Sequence, residues 1–174
     1  MRIAASVEFI GSSFSGWQKQ LKVNTVQGEI EKALFNVTNK KISLTAAGRT
    51  DAGVHALSQI VHFDVDIIRP MHSWVKGINA HLPDLIKIKW AKIVSEDFHA
   101  RYSAKSRKYQ YLLLSQPIAS AIWSDRCGWT FYELDYNLLL SASKKFLGKH
   151  NFDAFRSSEC QAKSPIRTIK IVEV

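Results

Sequence analysis

One stretch of the chain concentrates groups able to do chemistry: Gly48-Arg49-Thr50-Asp51-Ala52-Gly53-Val54-His55. Two glycines bracket an arginine and an aspartate two residues apart. Glycine admits tight backbone geometry, or the close approach of a ligand. Arg49 paired with Asp51 would keep the carboxylate ionised and oriented. An ionised carboxylate can attack an electrophilic sugar carbon, stabilise positive charge there, or accept a proton. Arg49 could instead hold a phosphate with both arms of its guanidinium. The same residue types also make ordinary structure: Asp beside Gly is turn chemistry, and Arg-x-Asp is commonly a surface pair. Spacing alone leaves these readings open.

A second run mixes cations with rings. His99, Arg101, Lys105, Arg107 and Lys108 lie among Tyr102, Tyr109 and Tyr111. Such a mixture suits a bent or splayed RNA strand, with phosphates on the cations and bases on the rings. The alternative is a solvated strand edge protected by its lysines. Lys40 and Lys41 read as a solvated turn, and Lys144, Lys145 and Lys149 as complements to a helix dipole. His55 is expected to position the glycine-flanked loop. His62 alternates with apolar residues and reads as a structural histidine with its hydrogen bonds satisfied. No histidine-carboxylate cluster has metal-ligand spacing, so neither a metal nor an organic cofactor is expected. Cys127 and Cys160 form no CxxC pair and read as packed or idle thiols of a reducing cytoplasm.

These groups need a scaffold. Ile3, Ala5, Val7 and Phe9 alternate as a strand, and residues 11–17 form a loop by composition. Asn24 or Thr25 can cap a helix whose apolar face is Val26, Ile30, Ala33, Leu34 and Val37. Residues 42–46 and 59–65 read as strands. Pro70 fits the first turn of a helix through Trp74, Val75 and Ile78, and Ile86, Ile88 and Trp90 mark another strand. The order β-α-β-β-α-β is the split βαβ of a ferredoxin-like (RRM-like) α+β domain, with a mostly antiparallel sheet, over residues 1–97. Its open face is a common place to lay single-stranded RNA.

A second unit, residues 98–174, begins with a strand over 107–114. Asp135 caps a helix carrying Leu138, Leu139, Ala142 and Phe146, ended by Gly148. Residues 150–165 read as irregular, and 166–174 as a strand. No returning strand or second helix follows. Residues 98–174 therefore read as the first part of an incomplete, apparently truncated, α+β domain of similar type.

Composition bounds the partners. The 174 residues are 46% hydrophobic and 22% charged, with 24 Lys and Arg against 15 Asp and Glu, a net charge of +9. That balance favours a polyanionic partner, because each phosphate contact releases counterions. No apolar run approaches the ~20 residues of a membrane-spanning helix, and residues 1–8 make a poor signal peptide.

The motifs also occur in a telling order. GRTDAGVHA (48–56) is followed by QIVHF (59–63). Phe14-Ser15-Gly16-Trp17-Gln18 is similar to a YxGWQ segment, with Phe14 and Ser15 as variants, and Thr25-Val26-Gln27 opens the next helix. Asn79-Ala80-His81-Leu82-Pro83 fits NxxLP, residues 97–104 fit DFHARFSA, and Lys108-Tyr109-Gln110-Tyr111 fits an RxYxY strand. From residue 3 to about residue 170 the chain resembles the TruA family of tRNA pseudouridine synthases. The resemblance implies that Asp51 is the catalytic carboxylate. The family's reaction breaks the C1′–N1 bond of a uridine in the tRNA anticodon stem-loop, turns the uracil and rejoins it through C5. Asp51 would act either by forming an adduct at C1′ or by taking a proton from C2′. Tyr109 aligns with the active-site tyrosine that stacks on the base, and Arg49 would help turn the nucleotide outward. The resemblance further implies a cytoplasmic homodimer with each tRNA held across two subunits. The family's later active-site residues, an arginine and apolar residues that close the pocket, have no counterpart in these 174 residues. The competing expectation is a non-catalytic RNA-binding fragment. A carboxylate glycosidase would need a second acid beside Asp51.

Overall fold

Alternation of small and apolar residues makes Arg2–Phe9 a strand, β1, whose Ile3, Ala5, Val7 and Phe9 are almost wholly buried. The computed structural model describes residues 1–156 and 164–174. They fall into two compact units, Met1–Gln110 and Tyr111–Val174.

In the first unit β1 is followed by α1 (Val26–Thr38), β2 (Thr45–Ala46), β3 (Ala56–Asp64), α2 (Met71–His81) and β4 (Ile86–Val94). The sheet order is β2-β3-β1-β4. Every neighbouring pair is antiparallel, with Ala5 opposite Val61 on one side and Ala91 on the other. One core joins the strands to Val26, Ile30, Ala33 and Leu34 of α1 and to Trp74 and Ile78 of α2. Each fully buried side chain of this kind contributes about 1.5–3 kcal/mol. The architecture is α+β.

Local chemistry sets the ends. Of the two cap candidates, Thr25 is the one used: its Oγ1 accepts from Gly28 N–H at 3.3 Å. Asn39 closes α1 in the left-handed region (φ 54°), donating its N–H to Phe35 O at 2.7 Å. Pro70 stands at the N-cap of α2, one residue ahead of the expected first turn. β2 is shorter than the expected 42–46. Leu44 N–H is taken by the Glu31 carboxylate and Leu44 O by the Gln27 amide, so this residue bonds α1 and only Thr45 and Ala46 join the ladder.

In the second unit β5 (Leu113–Ser115) pairs in parallel with β6 (Gly128–Thr130), and β7 (Gly148–Asn151) pairs antiparallel with β8 (Ile166–Ile169). Between them lies α3 (Tyr136–Lys144), capped as expected by the Asp135 carboxylate, which accepts from Leu138 N–H at 3.0 Å. None of its residues is buried. Four expectations are corrected. The strand over 107–114 is confined to Leu113–Ser115, because residues 107–112 alternate in type without a ladder partner. α3 ends at Lys144, and Gly148 (φ +99°) turns the chain into β7 instead of ending the helix. The terminal strand covers 166–169, not 166–174, and β7 and a short 3-10 turn at Asp153–Phe155 occupy part of the segment read as irregular. Cys160 lies outside the described residues, and Cys127 is a half-buried free thiol. Among the described residues no helix is long and apolar enough to cross a membrane.

Candidate active site

Between β2 and β3 the chain leaves the sheet and returns, carrying residues 47–55. Ala47 N–H makes a last ladder-like bond to Ile60 O at 2.8 Å. From there the loop backbone is held by other parts of the first unit. Ala47 O accepts from the Arg107 guanidinium and Gly48 O from the Gln59 side-chain amide. Thr50 O accepts from Trp17 N–H at 2.9 Å, and Val54 N–H closes a turn onto Asp51 O at 3.2 Å. At the far end His55 Nδ1 accepts from Gly11 N–H at 3.1 Å. His55 thus positions the loop by its side chain, as its place in the motif suggested.

Close backbone approach explains Gly11 and Gly16. A Cβ on Gly11 would stand 2.0 Å from Val54 O, and one on Gly16 2.9 Å from Thr50 O. Gly16 and Gly53 both have φ +82°, a region that side chains rarely adopt. The held backbone presents Arg49 and Asp51 as exposed side chains, while the intervening Thr50 hydroxyl is buried without a hydrogen-bond partner. A carboxylate fixed through its own backbone and open to solvent is placed to meet an incoming ligand.

The basic-aromatic run divides into two kinds. His99 is half-buried and engaged: its N–H donates to Ser103 Oγ, and its Nδ1 accepts from the N–H groups of Arg101 and Tyr102. Its ring stacks on Tyr102, with centroids 4.3 Å apart, and lies 4.9 Å from His62. Arg101 is over the other partner of that stack, 5.8 Å from the Tyr102 centroid. Lys105, Lys108 and Tyr109 are exposed, the tyrosine at 84%, so Tyr109 is not a core residue. Arg107 is exposed too, yet it donates to the carboxylate loop. His62 is buried and its Nδ1 accepts from Ala100 N–H at 3.1 Å, the satisfied structural role. Burial first, then the nearby charges of Arg2 and His99, push its pKa below the ordinary imidazole value, and Asp64 opposes them.

Residues 5–103 match a family described as tRNA pseudouridine synthase. The chain belongs to that family. It is 45% identical over 174 residues to the tRNA pseudouridine synthase A of Dechloromonas aromatica (strain RCB), covering 100% of this chain and 66% of the relative. Against the enzyme of that name from Shewanella frigidimarina (strain NCIMB 400) the identity is 47%, covering 100% and 67%. Against that of Nitrosomonas eutropha (strain DSM 101675 / C91 / Nm57) it is also 47%, covering 100% and 63%. The chain therefore spans about two thirds of the length of these relatives. The family match takes in Asp51, its loop, His99 and Arg101, and ends before Arg107 and Tyr109.

Several residues that build the site carried only weak signals in the sequence. Gly11 belonged to a loop by composition, and Gly16 and Trp17 fell in the YxGWQ-like segment of that loop, but nothing showed that they touch residues 50–55. Gln59 opened the QIVHF segment but showed no sign of a bond to the loop. A cavity of about 480 Å³ lies elsewhere in the first unit, between α1 and residues 41–43, and none of its lining comes from the carboxylate loop. Among the described residues no group of three or more His, Cys, Asp or Glu is arranged to hold a metal ion.

Proposed function

We propose that this chain carries the catalytic loop of a tRNA pseudouridine synthase that isomerises uridine in the anticodon stem-loop, with Asp51 as its essential carboxylate. The observation that carries the reading is Asp51 itself: an exposed carboxylate on a loop tied at Ala47, Gly48, Thr50 and His55, inside the stretch that matches the family. The sheet is read as the ferredoxin-like platform that carries this loop. The protein acts in the cytoplasm as a homodimer, and tRNA is the polyanion that a net charge of +9 suits.

The target uridine must leave the base stack, at a cost of a few kcal/mol. Arg49, beside Asp51, supports the displaced backbone. Tyr109 stacks on the extruded base. The C1′–N1 bond then breaks with its electron pair passing to uracil N1. Asp51 either bonds C1′ or takes the C2′ proton. The uracil turns and C5 bonds C1′, displacing the Asp51 carboxylate from C1′ in the first route, or with the proton returning from Asp51 to C2′ in the second. The C5 proton then leaves and N1 gains one, so the product is an isomer of the substrate. Arg101, Lys105 and Lys108 supply phosphate contacts, His99 shapes the turn that carries Arg101, and Arg107 adds charge beside the loop.

Loss of the C5 proton gives the test. On tRNA tritiated at uridine C5, the wild-type chain is expected to release tritium, and Asp51→Ala to lose at least about 10³-fold in rate. Equal release by both, or none from a wild-type chain that binds tRNA, would overturn the proposal.

A further inference from the structure

Two side chains distant in sequence converge on consecutive carbonyls of the carboxylate loop. The Arg107 guanidinium donates to Ala47 O, and the Gln59 amide donates to Gly48 O. Arg107 is sixty residues from its acceptor and comes from a segment that forms no strand. Its Nε lies 3.4 Å from where a Cβ on Gly48 would stand, so the guanidinium is against the loop backbone itself. Gln59 reaches the neighbouring carbonyl from within β3.

The position of these two bonds matters. Ala47 N–H makes the last bond to β3, through Ile60 O, before the loop departs. The next backbone anchors are Thr50 O and Asp51 O. Without the two side chains, the carbonyls of Ala47 and Gly48 would turn to water, and the backbone leading to Asp51 would gain freedom where the reaction needs a fixed carboxylate. A misplacement of about 1 Å can cost roughly 10²-fold in rate.

Arg107 carries a second consequence. Tyr109 follows it by two residues, a span of at most about 7 Å. Anchoring Arg107 to Ala47 therefore restricts where the Tyr109 ring can stand relative to the loop that presents Asp51. We infer that Arg107 and Gln59 are positioning residues: together they hold the carboxylate loop, and Arg107 ties the base-stacking segment to it. The inference rests on the reading of Asp51 and Tyr109 given above, and it moves Arg107 from the phosphate contacts to the support of the site.

Hydrogen exchange on the RNA-free chain tests the clamp independently of catalysis. Arg107→Met removes the donors and keeps the side-chain length. The amides of Trp17 and Val54, which bond Thr50 O and Asp51 O, are expected to exchange about ten-fold faster, while β1–β3 ladder amides are unchanged. In turnover kcat falls and KM for tRNA holds. The tRNA affinity and its salt slope also hold, because the guanidinium serves the protein and not a phosphate. Unchanged loop exchange would overturn the inference. So would weaker binding with the log–log salt slope reduced by about one, the mark of a lost phosphate contact. Gln59→Leu, from a different element, must give the same exchange signature, which guards against a folding defect peculiar to Arg107→Met. Failure of the functional reading shows as indifference to Asp51→Ala, whereas failure here shows as loop amides indifferent to Arg107.

Discussion

Gly11 and Gly53 border the same loop and are glycine for different reasons. A Cβ on Gly11 would overlap Val54 O at 2.0 Å, whereas one on Gly53 would meet nothing within 4 Å. Gly53 instead needs its φ of +82°. Gly53→Ala is therefore expected to cost only left-handed strain, about 1–2 kcal/mol. Gly11→Ala must separate the end of β1 from the loop, breaking the bond from Gly11 N–H to His55 Nδ1. Denaturant unfolding and tritium release together separate the two. Gly53→Ala loses stability and keeps a measurable rate, Gly11→Ala loses the rate outright, and similar profiles would mean that the close approach at Gly11 is unimportant. His62 supports a second residue-scale prediction. Its pKa is lowered in the folded chain, so between the folded value and the ordinary 6.5 the unfolded chain binds more protons. The stability it confers is present above about pH 6.5 and is lost as pH falls through the folded value. Around it, Arg2 and His99 disfavour the charged ring and Asp64 favours it, the last held by a two-point bond to Arg2 at 2.8 and 2.9 Å. His62→Gln should flatten the fall in denaturation midpoint between about pH 7.5 and about pH 5.5. Parallel falls in wild type and variant would place the sensitive group elsewhere.

At the scale of elements, Asn79 shows how a short motif becomes a joint. It belongs to the NxxLP segment at the end of α2, and its side chain bonds the backbone of β4 twice. Nδ2–H donates to Ile88 O at 2.9 Å, and Oδ1 accepts from Ile88 N–H at 2.7 Å. Ile88 pairs with Val7 beside the register shift between Ser6 and Val7, on the edge strand of the sheet, and the Asn79 side chain supplies partners for both of its backbone groups. Asn79→Ala is expected to cost about 1–3 kcal/mol, the price of leaving both groups of Ile88 without partners. Asn79→Asp should keep only the accepting half. If the alanine variant unfolds at the wild-type midpoint, water serves as well as the side chain. This joint also marks where sequence reasoning stops. The β-α-β-β-α-β order was legible because each element has a strong period: Val26, Ile30, Ala33 and Leu34 at helical spacing, Ile3, Ala5, Val7 and Phe9 at strand spacing. Asp51 and its glycines stood out as a local cluster. The bonds that hold the loop did not, because they join Gly11, Trp17, Gln59 and Arg107 across up to sixty residues of chain. The strand expected over 107–114 failed for a related reason: alternation shows which residues could form a strand and not whether a partner exists to pair with it.

Across the whole molecule, burial is distributed unevenly. The most C-terminal buried hydrophobic among the described residues is Ala100, and α3 contributes none. Leu138, Leu139 and Phe146 of the second unit remain 69%, 41% and 38% exposed. In the first unit Trp17, Trp74, Ile3, Ile30, Leu34, Ile78 and Ile86 are almost fully buried in one cluster with both helices and the sheet. Hydrophobic burial is the dominant favourable term in folding, so cooperative unfolding should belong to Met1–Gln110. That range also contains the carboxylate loop, Arg107 and Tyr109. A fragment of residues 1–110 is expected to unfold in a single transition within a few degrees of the main transition of the whole chain. It should also retain the slow exchange of the Trp17 and Val54 amides. The complementary prediction is a core substitution felt in full by both: Trp74→Ala, at the centre of the cluster, should remove about 3–5 kcal/mol from the fragment and from the whole chain alike. An unfolded fragment, or a Trp74→Ala effect much larger in one than in the other, would mean that residues 111–174 stabilise the loop-bearing unit. The local contacts of the first unit would then be insufficient to present Asp51.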